Sequence, residues 1–165
     1  MTKVFQTNFN PGTHPNPGNC WQAQIASLLS LQLEQVPNFI EYGDKCNEAV
    51  LEFLNSMGYD YEGYVHNPRR MGCDGDFTKL TDKVVYELDG VDGLFAACVW
   101  SPKYFTMEAM CDWNQVQPTH AVIMDKHFNI VHDPNPNYAE VKEYPLANIL
   151  GWNGIIGFDI ITKRN

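Results

Sequence analysis

A chain of 165 residues with 20 Asp and Glu against 11 Lys and Arg carries a formal net charge of −9, which repels phosphate backbones and argues against a nucleic-acid partner. With 44% hydrophobic and 13% aromatic residues, it is too apolar for disorder and has the length of a single domain with its own core. No apolar run approaches the ~20 residues of a membrane span, and the opening MTKVFQTNFNPG lacks the apolar core of a signal peptide, so a soluble, cytoplasmic protein without membrane contact is expected.

From Cys20 to Leu31, Trp21, Ala23, Ile25, Ala26, Leu28 and Leu29 cover much of a helix surface, which predicts a buried helix with Asn19 as its N-cap. Pro37 in EQVPNF ends that helical region. A second helix is expected from Asp44 to Met57, capped by Asp44, with Ala49, Val50, Phe53, Leu54 and Met57 at helical spacing and Gly58 as the stop. YDYEGYV then alternates as a strand, and His66 to Asp82 reads as a long polar loop. KVVYEL, GLFAACVW, THAVIM, FNIVHD and GIIGFDII each read as a strand bounded by turn residues, with MDKHFN as a short hairpin connection. Helices first and an antiparallel sheet afterwards predict an α+β fold, with the N-terminal helices packed on the C-terminal sheet.

Cysteine is usually a small buried residue, so a lone Cys20 at a helix start carries little by itself. A thiol in that place is nevertheless exposed to the partial positive charge of the helix N-terminus, which favours the thiolate. Nucleophilic attack also requires a base, and the base requires an orienting group. PTHAVIMDKHFNIVHDPNP puts His120 at the start of one strand and Asp133 at the end of the next. If these strands pair through Asp125 to Asn129, the two ends become neighbours and an imidazole meets a carboxylate. His127 falls in the turn, and His132 should face away from Asp133, so neither suits the base. Asp133, preceding Pro134, also reads as a turn initiator.

GNCWQAQIASLL with the following LEQVPNF, and THAVIM with IVHDPNP, resemble the papain-like cysteine peptidase superfamily, especially its small C39-like branch and its phage and bacterial members. The resemblance covers both ends of the chain and not the middle. It implies a papain-like cysteine protease fold, Cys20 as nucleophile, His120 as general base and acid, and Asp133 as the residue that orients His120. It also implies an oxyanion donor. Where such enzymes usually carry the glutamine stands His14, so Gln6 in VFQTNF is expected to take that role, with Asn19 and the backbone N–H of Cys20 as alternatives or partners. The expected activity is a peptidase or isopeptidase on a protein or peptide substrate, with deamidation and acyl transfer open to the same triad.

The remaining features carry less chemistry. Five cysteines (Cys20, Cys46, Cys73, Cys98 and Cys111) are odd in number and lack a C-x-x-C pair, which suits neither a disulfide framework nor a zinc site, and no motif implies a metal or organic cofactor. Arg69-Arg70 reads as solvated surface, Asp74 to Phe77 as a turn rather than a calcium loop, and Trp21, Trp100, Trp113 and Trp152 as core or pocket wall. Residues His66 to Asp82 and Ser101 to Gln117 are where a substrate groove is expected. The rival reading is a binding protein that keeps the scaffold without turnover, suggested by His14 and the long loop before Cys20. Oligomeric state has no signature in the chain.

Overall fold

The structure is a computed structural model and describes residues 1–10, 14–65, 91–106, 119–141, 143–145, 147 and 154–165. The expected strand at 83–88, the loop at 66–82 and residues 107–117 lie outside the described residues, as do Arg69, Arg70, Cys73, Cys111, Trp113, Trp152 and the Asp74 to Phe77 turn. Helix α1 is Cys20–Leu29 and α2 is Cys46–Ser56, followed by strands β1 Tyr59–Val65, β2 Leu94–Trp100, β3 Thr119–Asp125, β4 Ile130–His132 and β5 Ile155–Lys163. The strands form one five-stranded sheet in the order β1-β5-β2-β3-β4, with every adjacent pair antiparallel. The described chain is therefore α+β, with α1 packed against β2 and β3 and α2 against β1.

Strand alternation gives the sheet two buried faces. Ala96, Ile123 and Ile161 meet Ile25, Ala26 and Leu28 of α1 and Val50 and Leu54 of α2. On the other face Phe95, Ala97, Val99, Val122, Met124 and Phe158 pack with Phe128 and Tyr144. Each fully buried Ile, Leu or Phe contributes about 1.5–3 kcal/mol relative to exposure, so the sheet between these layers is the stable part of the scaffold.

Helix α1 is buried continuously from Ala23 to Leu28, including two polar residues. Both are bonded: the Gln24 amide donates to Ala97 O at 2.9 Å and to Val122 O, while Ser27 Oγ donates to Ala23 O and accepts from Val4 N–H. The Gln24 bonds fix α1 against the paired strands β2 and β3, where Ala97 and Val122 are direct partners. Without them two buried carbonyls would lose a donor, at about 1–3 kcal/mol for each unsatisfied group.

The ends of the two helices depart from the expectation. Helix α1 ends at Leu29 rather than Leu31 because Ser30 is left-handed at φ 56°. Asn19 stands at the N-cap position but makes no capping bond. Asp44 does not cap α2: it lies in a 3₁₀ stretch Phe39–Lys45 that breaks at Gly43 (φ 56°), and Lys45 takes the cap position. Gly58 follows the end of α2 at φ 79°, a conformation that costs glycine little.

Candidate active site

Cys20 is the first residue of α1, at the end of the helix that carries partial positive charge. No acidic residue stands in the first turn, and no side chain caps it. As a residue Cys20 is half-buried. Burial of the thiol opposes ionisation, but the hydrogen bond and charge of His120, with backbone N–H groups of Ala121 and Trp21, outweigh it and hold the pKa below that of an ordinary cysteine. Cys98 provides the contrast: it lies on β2 directly opposite Ala121, and burial pushes its thiol up to about 12 despite a bond with Thr119.

His120 sits near the start of β3, 5% exposed. Its Nε2 is 2.7 Å from Asp133 Oδ1. A carboxylate only accepts, so Nε2 carries the proton, and Nδ1 is left for Cys20, the imidazole's other hydrogen-bond partner. Burial opposes a charged ring, but Asp133 and Cys20 outweigh it and push the imidazole up to about 9. Both shifts favour the charged forms, a thiolate on Cys20 and an imidazolium on His120.

Asp133 reaches His120 through an irregularity in β4. Met124 pairs with Ile130, yet Ile123 pairs with His132, so Val131 is an extra residue and forms a β-bulge. Ile130 packs on the face that holds Val122 and Met124, whereas Val131 packs on the helix face. Strict alternation from Ile130 would turn Asp133 to the helix face, away from His120. The bulge resets the parity by one, and Asp133 falls on the face of His120. His132 is turned the other way, with Nε2 donating to Val4 O at 2.8 Å, and burial holds its pKa below the usual value. His127 lies in the hairpin turn, where its N–H donates to Asp125 Oδ1.

The carboxylate is held on several sides. Asp133 Oδ1 also accepts from Asn135 N–H at 2.7 Å, and Oδ2 accepts the Tyr144 hydroxyl. The Tyr144 ring lies nearly parallel to the imidazole at 19°, and the Tyr138 ring meets it edge-on at 5.2 Å. Neither tyrosine was marked by the sequence, because YAEVKEYP has no spacing that sets either one apart.

Residues 4–8 run between α1 and β4 and link the two halves of the site. Val4 bonds to Ser27 of α1 and His132 of β4, and Gln6 N–H donates to Pro134 O at 3.0 Å. Thr7 and Asn8 donate their N–H groups to Asn19 Oδ1. Gln6 is thus buried on a segment tied both to the residue before Cys20 and to the residue after Asp133. Its amide nitrogen donates to Asn8 O, which uses one of two protons, while Oε1 has no partner.

Asn19 has a different task from either expectation. Oδ1 takes two N–H groups, and Nδ2 donates to Thr7 Oγ1 and Gln22 Oε1. All four hydrogen-bonding positions are occupied, so the side chain has no N–H to offer an oxyanion and serves as the hub of the loop. His14 is exposed and bonds within its own loop, through Nδ1 and Asn16. Gly18 closes that loop: a Cβ there would stand 2.5 Å from Asn10 O and 3.1 Å from Asn8 O, both backbone atoms.

Among the described residues no cluster of three His, Cys, Asp or Glu side chains could hold a metal ion, and no helix is long and apolar enough to cross a membrane. No protein-family model, curated protein or solved structure matches the chain.

Proposed function

We propose that the chain is a papain-like cysteine hydrolase that cleaves a peptide or isopeptide bond in a protein or peptide substrate through an acyl-enzyme. The observation that carries the reading is a single imidazole, His120, bonded on one nitrogen to Asp133 and on the other to a thiol at a helix start. In this reading the Cys20 thiolate adds to the carbonyl carbon. The C–N bond breaks as His120 gives its Nδ1 proton to the leaving amine, and a thioester remains. His120 then takes a proton from water, whose oxygen attacks the thioester carbon and releases Cys20. The backbone N–H of Cys20 and the second amide proton of Gln6 are assigned to the developing oxyanion. The order of parts along the chain, with a thiol opening a buried helix and an imidazole and carboxylate on adjacent antiparallel strands, supports the papain-like assignment.

The binding-protein reading draws on one observation, that the Gln6 amide is already engaged by Asn8 O. Incubation with p-nitrophenyl acetate, followed by intact-mass and peptide mapping, separates the two. The hydrolase acetylates Cys20, releases p-nitrophenol in a burst and turns over, and Cys20→Ala does none of these. A chain with no acetyl adduct, or with one that survives Cys20→Ala unchanged, is not such an enzyme.

A further inference from the structure

We infer that Tyr144 is a positioning residue that acts through Asp133, its hydroxyl fixing the carboxylate in the orientation that presents Oδ1 to His120. The inference rests on the roles proposed above for Cys20, His120 and Asp133. Two donors, His120 Nε2 and Asn135 N–H, converge on Oδ1 at 2.7 Å each, while the Tyr144 hydroxyl is on Oδ2. The Asp133 side chain is 8% exposed, so without that hydroxyl a buried oxygen would lack its donor. The terminal torsion of aspartate is soft, and the carboxylate would turn to share Asn135 N–H between its oxygens, drawing Oδ1 off the imidazole.

The same hydroxyl has an opposing electrostatic effect. It draws charge from the carboxylate, and on that ground alone its removal would raise the affinity of His120 for a proton. Positioning and charge withdrawal therefore predict opposite signs, and the sign decides between them. Tyr144→Phe is the suitable perturbation, because the ring stacked on His120 and packed with Val122 and Met124 is kept and only the oxygen is lost.

The test is the titration of His120 in full-length protein labelled with ¹⁵N-histidine, with its signals assigned through His120→Ala. The wild-type imidazole should titrate near 9, and in Tyr144→Phe about one pH unit lower, a tenfold loss of proton affinity. Adding Tyr144→Phe to Asp133→Asn should bring no further fall, since the hydroxyl acts through the carboxylate. A titration that stays in place or moves upward in Tyr144→Phe overturns the proposal, and so does an equal drop on top of Asp133→Asn. If wild-type Cys20 is alkylated at pH 6 no faster than the other thiols, the catalytic reading falls and this proposal with it. Fast alkylation of Cys20 with an unmoved His120 titration overturns the positioning role alone.

Discussion

Asp159→Asn should make the protein less sensitive to rising pH. Asp159 lies on β5 opposite Ala96 of β2 and Gly63 of β1, and its carboxylate accepts the Tyr61 hydroxyl at 2.9 Å. Burial pushes its pKa up from 3.8 to about 6, with the Tyr61 bond only partly offsetting it. A raised folded-state pKa means that the native state holds the proton more tightly than the unfolded chain. The resulting stability is full below about 3.8 and is lost as the pH rises through about 6. A shift of roughly two units at 1.36 kcal/mol each gives about 3 kcal/mol, lost across that window. Asparagine can still accept the Tyr61 hydroxyl and has no charge to bury. Urea unfolding followed by tryptophan fluorescence at pH 3.5, 5, 6 and 8 measures the effect. The difference in unfolding free energy between variant and wild type should move by about 3 kcal/mol in favour of the variant between the lowest and highest pH. Other titrating groups are common to both chains and cancel. A difference that is constant with pH would refute the reasoning.

Gly18→Ala would drive a methyl into the Asn10 and Asn8 carbonyls and displace the loop leading into Cys20. Burst acylation by p-nitrophenyl acetate is expected to fall about 10²-fold with the sheet still folded by circular dichroism, as for a misplacement near 1 Å; an unchanged burst would refute it. Deleting Val131 removes the bulge but leaves Asp133 two positions after Ile130, so strict alternation keeps the carboxylate on the face of His120. The His120 titration should therefore stay near 9, and a folded deletion variant whose titration falls towards 6.5 would refute the parity argument.

Much of this architecture is legible in the chain because it follows from periodicity. YDYEGYV and THAVIM alternate or run apolar in lengths that only strands suit, and β1 and the start of β3 fall where those patterns begin. The hairpin is legible because Asp125 is a turn former, and its carboxylate takes the N–H groups of His127 and Asn129. The neighbourhood of His120 and Asp133 follows from that hairpin, but its parity does not. One extra residue at Val131 leaves no mark in composition, and strict alternation would have aimed the carboxylate at the wrong face. Asn19 illustrates the opposite problem. An asparagine before a helix is a good cap by type, but its amide also suits two N–H groups from Thr7 and Asn8, and only the tertiary path of the N-terminal segment decides between them. Tyr144 and the unusual φ of 62° at Phe128 belong to the same class, since both arise from contacts distant in sequence or from a turn geometry that residue type does not favour.

The claim that Cys20 and His120 form a thiolate–imidazolium pair is tested most directly by alkylation with iodoacetamide from pH 5 to pH 9, mapped by peptide mass, in wild type and His120→Ala. The pair predicts that Cys20 is labelled selectively at pH 6 while Cys98, whose thiol is pushed up to about 12, is spared, and that the selectivity disappears with the imidazole. Labelling of Cys20 that rises only near the ~8.5 of a free thiol, and is the same in His120→Ala, would contradict it.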